Sequence, residues 1–208
     1  MIDPATLITY IAIVAGFVIV PGPATLLTVA RATTSGTRAG IATGAGIAAG
    51  DILHTVMAII GISAIIAASA MLFSIVKYAG AAYLIYLGIR ALTTRTSSLP
   101  EADPVRVTPA TAFRQAILAE VLNPKTALFF LAFLPQFVDP GNGFVTLQLV
   151  VFGLLFVLIG FASTAMFAIG AGSLSRFLRR NPVVTRLQGK IVGTIYCGLG
   201  VRLALQER

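Results

Sequence analysis

The chain has 208 residues, of which 57% are hydrophobic and 11% charged, with a mean hydropathy of +0.95 and a formal charge of +8. So few polar residues cannot coat a water-soluble globule of this length, which excludes a soluble domain and reads as an integral membrane protein. The basic residues are dispersed and not interleaved with aromatic platforms, against nucleic-acid binding, and the single cysteine, Cys197, excludes an intrachain disulfide or a cysteine-based metal cluster.

The N-terminal stretch MIDPATLITY carries an acid and no basic residue ahead of the apolar run, so the positive flank of a cleaved signal is missing and the first span is expected to be retained. At about 20 apolar residues per crossing, six spans are expected near residues 6–30, 40–67, 70–91, 116–138, 145–172 and 189–205. Arg31 and Arg38 fall between spans one and two. Arg90, Arg95, Arg106 and Arg114 fall between three and four, and Arg176, Arg179, Arg180, Arg186 and Lys190 between five and six. The other connections carry almost no basic charge. By the positive-inside rule the three basic connections are cytoplasmic and both termini face outward.

Within span one the stretch VIVPGPATLL places Pro21 and Pro23 around Gly22, where prolines withhold amide hydrogens and disturb carbonyls one turn earlier. Irregular backbone at membrane depth is tolerated only where protein or a wet cavity covers it. The expected consequence is a broken helix that restarts after Gly22, with its free amides and positive dipole end aimed at an anion such as a carboxylate. Span four repeats the device in LNPKTALFF: Asn123 suits an N-cap, Pro124 the first helical position, and Lys125 adds positive charge.

Span two carries Asp51 about eleven residues in, roughly 16 Å along the helix axis and so near the midplane. A carboxylate there costs about 3 kcal/mol or more unless it is paired or wetted, and protonation relieves that cost. His54, three residues on, shares its face and is placed to share a proton or hydrogen bond with it; a polar pair gluing helices is the alternative for both. Glu120 reads either as a third proton-handling group or as an exposed acid at a helix end. Gly36, Gly40 and Gly44, and separately Gly46 and Gly50, have the four-residue spacing of close helix contacts.

Spans three and six share a motif. KYAGAAYLIYLGIRAL and KIVGTIYCGLGVRLAL align Lys77 with Lys190, Gly80 with Gly193, Tyr83 with Tyr196 and Arg90 with Arg202. With matched breaks in spans one and four, this divides the chain into a first three-helix repeat (1–92), a cytoplasmic linker rich in Ser, Thr and Pro (93–115) and a second repeat (116–208). Three crossings per half make the halves inverted, an architecture of secondary transporters with the substrate at the midplane. The fold class expected is thus all-α and polytopic, with six transmembrane helices as two inverted repeats and helices 1 and 4 broken.

VPGPATLL, GxxxGDxxH, KYAGAAYLIYLG and LNPKTALFFLAFLPQFV, in that order over nearly the whole chain, resemble the signatures of the lysine-exporter family (LysE and RhtB type) of bacterial inner-membrane amino-acid exporters. The resemblance implies six membrane helices and efflux of amino acids or related small metabolites driven by the proton gradient. It draws attention to Pro21, Gly22, Pro23, Asp51, Asn123, Pro124 and Lys125. These seven are the candidate substrate-binding residues, and the reading of the residues themselves adds His54 and Glu120 to Asp51 as candidates for proton coupling. Span five has no acid matching Asp51, so the proton role rests on one half. The partners expected are an amino acid, protons and the bilayer, with a homo-oligomer left open, and neither cofactor nor resident metal. An enzyme is disfavoured by the single histidine and the lack of a paired nucleophile. The rival reading is a metal-cation transporter or channel using Asp51 and Glu120.

Overall fold

The computed structural model describes residues 2–19, 22–68 and 106–180 continuously. Between 75 and 93, and again between 190 and 205, it describes only scattered positions. Every regular element among the described residues is helical.

Asp3 caps α1 (Pro4–Ile19), its carboxylate accepting from the Thr6 amide at 3.0 Å. The helix is described as far as Ile19, and residues 20 and 21 lie outside the described residues. Gly22, in extended conformation, then stands as N-cap to α2 (Pro23–Ser35), which opens with proline in its first turn. α1 and α2 meet at 51°. Gly36, with φ +92°, turns the chain directly into α3 (Thr37–Ala68), a conformation that a side chain at this position would strain.

α4 (Pro109–Val121) is capped by Thr108, whose hydroxyl accepts from the Thr111 amide at 3.2 Å. A two-residue break at Leu122 and Asn123 follows, and α5 (Pro124–Leu128) starts at a new angle: α4 and the Lys125–Phe137 segment are bent by 50°. Beyond α5 the chain widens into a π turn over Phe129–Phe133 and tightens into a 3₁₀ turn over Leu134–Phe137. Pro135 accounts for the irregularity, since it brings no amide for the carbonyl of Leu131 one turn earlier. α6 (Val145–Arg180) completes the described bundle.

α3 and α6 contain segments long and apolar enough to cross a bilayer, Thr37–Gly61 and Val145–Ala171. Counting each bent pair as one broken span brings the total to as many as four among the described residues. The interruptions expected in the first and fourth spans are present. Helical residues nevertheless run well past the expected span limits: Arg31 and Arg38 lie within α2 and α3, and α4 begins at Pro109, inside the stretch expected to be linker. Where turn chemistry is present the helices start at it: Gly36 before α3, Thr108 before α4 and the Asp139–Gly143 turn before α6.

Two seams bring α3 close to its neighbours. A Cβ on Gly50 would lie 2.6 Å from Cβ of Glu120, and one on Gly46 would collide with the Phe113 carbonyl, so α4 can approach only because both are glycine. Gly40 and Gly44 meet Ala168 and Thr164 of α6 in the same way. Gly36 departs from the packing role expected of it, because nothing approaches its α-carbon and it serves the turn.

At one end of the bundle an aromatic core joins Tyr10, Phe17, Phe129, Phe130, Phe133, Phe152 and Phe156. The Tyr10 hydroxyl donates to the Phe152 carbonyl at 2.8 Å, fastening α1 to α6. At the other, Arg31 donates to Gln115 Oε1 at 2.8 Å, fastening α2 to α4. Between the two ends lies a polar layer.

Most of the repeat motif of spans three and six, including Lys77, Gly80, Tyr83, Arg90, Gly193, Tyr196 and Arg202, lies outside the described residues, as does Pro21. Where positions of these spans are described they adjoin one another. The Cys197 thiol, half-buried, lies 3.8 Å from the Ile85 carbonyl, and Gly200 sits against Ala81 and Ile85.

Candidate functional site

The two breaks converge on one cavity. It offers about 40 Å³ to the centres of water molecules and is bounded by Gly22 and Pro23 from the first break, Glu120, Asn123, Lys125 and Thr126 from the second, and Asp51 of α3. Phe17, Ile47 and Phe156 supply an apolar side.

At the second break, Asn123 works from both ends of its amide. Its Oδ1 accepts from the Lys125 amide at 3.1 Å, capping α5, while its Nδ2 donates to Glu120 at 3.1 and 3.3 Å. The Thr126 hydroxyl also donates to Glu120 Oε1. Glu120 is 2% exposed. The reading of it as an exposed helix-end acid is therefore wrong: the bend at Asn123 turns the chain back so that the Asn-Pro-Lys-Thr segment supplies donors to a carboxylate three residues upstream. Hydrogen bonds to a charged acceptor are among the stronger ones, and three of them make Glu120 a fixed member of the site.

Asp51 is equally buried, at 2%, and its carboxyl faces that of Glu120 closely enough to hydrogen-bond. Its Oδ1 has no protein partner, the one such buried side-chain atom among the described residues. Gly160 of α6 leaves space beside the other oxygen: a Cβ there would stand 3.6 Å from Asp51 Oδ2. Asp51 borders the cavity, so its buried oxygen without a donor is placed to receive one from a ligand or water.

His54 is buried on the same face of α3, but its partner is not Asp51. Its Nε2 lies 2.9 Å from the Glu120 backbone carbonyl, and its ring stacks on Phe130 at 5.8 Å between centroids. That carbonyl also accepts from the Asn123 amide at 2.9 Å, so His54 lies at its second acceptor position. His54 thus touches the backbone behind the site and is not part of the cavity lining.

Lys125 reaches from the second break to the first. Its Nζ donates to the Phe17 carbonyl at 3.2 Å and stands 4.1 Å from the centre of the Phe17 ring. Gly22 lies directly against this ammonium, with room for a Cβ only at 3.1 Å from it. The neighbouring Val18 carbonyl accepts from the Ser163 hydroxyl of α6 at 3.3 Å. α1 therefore ends with its last carbonyls served by side chains from distant elements, as a helix terminus inside an apolar medium requires.

Of the residues singled out from the sequence, Gly22, Pro23, Asp51, Glu120, Asn123 and Lys125 border one cavity. Pro124 opens α5, and Pro21 is outside the described residues. Sequence reasoning missed Phe17, Thr126 and Gly160. Phe17 had a signal: it stands four residues before Pro21, so its carbonyl loses its helical donor. Thr126 is brought to Glu120 by the local bend at Asn123, and Gly160 is positioned only by tertiary contact.

Fold and site together define an all-α membrane protein with a polar chamber where two interrupted helices meet. The chain belongs to the LysE type translocator family, matching it over residues 15–207. Similar proteins include the uncharacterised membrane protein YrhP of Bacillus subtilis, 32% identical over 209 residues covering 96% of this chain and 99% of that one. The leucine efflux protein of Salmonella typhimurium is 26% identical over 197 residues, covering 94% and 93%. No solved structure matches the chain.

Proposed function

We propose that this translocator is a secondary exporter of amino acids or related small metabolites, embedded in a bacterial inner membrane and driven by proton antiport. The observation that carries the reading is the unpartnered Oδ1 of Asp51, buried beside a cavity that two helix breaks and a lysine also border. The similarity to leucine efflux proteins supports an amino acid as cargo, and the apolar wall of Phe17, Ile47 and Phe156 suits an aliphatic side chain.

In this reading the substrate carboxylate rests on the amide end of α2 at Gly22 and on Lys125, while its ammonium pairs with Asp51. Glu120 is tied by Asn123 and Thr126, so Asp51 is the carboxyl that exchanges a proton for the substrate ammonium. Proton arrival from outside releases the ammonium; proton loss to the cytoplasm restores affinity. His54 supports the pair through the Glu120 backbone.

Nearly equal bends of 51° and 50° at the two breaks support an inverted pair of three-span repeats, 1–92 and 116–208, rocking about this chamber with both termini outside. A metal-cation carrier fits less well, because Lys125 puts its own charge beside the carboxyls, and among the described residues no three His, Cys, Asp or Glu side chains converge.

The test is efflux of dipeptide-derived leucine from cells, and of leucine from proteoliposomes under an imposed pH gradient. Asp51→Asn is expected to fold and to lose at least 90% of gradient-driven efflux, on the order of the loss of an essential charge partner. Full efflux by this variant would overturn the assignment.

A further inference from the structure

We infer that Phe17 forms the cation-holding site of the chamber, a site that Lys125 fills when no substrate is present and that the substrate ammonium takes, beside Asp51, when the chamber is loaded. The inference rests on the amino-acid exporter reading and gives Phe17, which in that reading is only part of the apolar wall, the holding of the ammonium.

Three features make the vicinity of Phe17 an ammonium site. Its carbonyl lacks the helical donor that residue 21 would otherwise supply, because residue 21 is proline. Its ring offers a π face at 4.1 Å to the same ammonium that the carbonyl binds at 3.2 Å. The charges of Asp51 and Glu120 act on that ammonium as well. A carbonyl, an aromatic face and nearby carboxyls are what a primary ammonium requires after leaving water, and Lys125 carries a primary ammonium.

The space available points the same way. The lysine itself lines the cavity, which leaves about 40 Å³ open to the centres of water molecules. Gly22 lies against the lysine stem, 3.3 Å from Cδ at the position of a Cβ, so the stem occupies the passage between the breaks. Loading therefore moves Lys125. When its ammonium turns to the incoming carboxylate, the carbonyl and ring face of Phe17 become available to the other end of the zwitterion. Lys125 is thus both the carboxylate's partner and an internal competitor for the ammonium position.

Two fragments of leucine separate these roles in binding measurements on the purified protein. Isoamylamine has the ammonium without the carboxylate; 4-methylpentanoate has the reverse. In Lys125→Met the competitor is gone, so isoamylamine is expected to bind about tenfold tighter than to the unaltered protein, the size of a desolvated cation–π contact. 4-Methylpentanoate is expected to bind more weakly. Adding Phe17→Leu to Lys125→Met is expected to abolish the gain for isoamylamine, and Phe17→Tyr, which keeps the ring, to recover most of it.

Equal or weaker isoamylamine binding in Lys125→Met would overturn the inference while leaving the exporter reading intact, provided leucine still binds the unaltered protein. If none of the standard amino acids binds the unaltered protein, the exporter reading itself fails. Should Lys125→Met not fold, Phe17→Leu in the otherwise unaltered chain decides. It is expected to weaken leucine about tenfold with Phe17→Tyr recovering it, and unchanged leucine binding would reject the inference.

Discussion

At the scale of single residues, the chamber divides its labour by how firmly each group is held. Glu120 receives donors from Asn123 and Thr126, whereas Asp51 keeps one oxygen without a donor. Removing a donor from a buried carboxylate costs about 1–3 kcal/mol, so Thr126→Val should lower the melting temperature in detergent and weaken efflux, while leaving pH-gradient dependence in place. Gly160 acts through space. Its Cβ position stands 3.6 Å from Asp51, an ordinary contact, so Gly160→Ala should fold normally but narrow the chamber. Competition assays should then show larger aliphatic amino acids losing more affinity than alanine does; a uniform loss would refute Gly160 as a determinant of size.

At the scale of elements, the interruptions and the glycine seams serve the same end. Proline chemistry ends α1 and starts α2 and α5, and the ends so created need donors and acceptors from elsewhere. Lys125, Ser163 and His54 supply them across elements. Those contacts need short distances between helix axes, which Gly46 and Gly50 permit between α3 and α4. Gly50→Ala would drive a methyl to 2.6 Å from Glu120 Cβ, and both atoms belong to stiff parts of their helices. The expected loss is about 1–3 kcal/mol, read as a lower detergent melting temperature, with transport falling in step because Asp51 and Glu120 move apart.

At the scale of the whole molecule, the proposal of two inverted repeats predicts sidedness. With Cys197 replaced by serine, single cysteines introduced at position 2 and in the linker near residue 98 should react with a membrane-impermeant thiol reagent from opposite sides in intact cells, position 2 from outside. Labelling of both from the same side would end the six-span inverted arrangement.

The chain by itself determined where its helices break, because a proline withholds an amide hydrogen whatever surrounds it, and its apolar blocks marked it as a membrane protein, because so few polar residues cannot coat a soluble globule. Asp51 stood out for the same kind of local reason, a carboxyl deep in an apolar helix. Helix limits were less legible: α2 runs to Ser35 and α6 to Arg180, past their apolar blocks. Only the tertiary structure decided which groups answer the breaks. His54 turned to the Glu120 backbone instead of Asp51, Glu120 came inside instead of facing water, and Lys125 crossed to Phe17, 108 residues away. Such pairings arise from the bends of about 50° and from close glycine seams between helices distant in sequence, and no local pattern of residues encodes the distance between two helix axes.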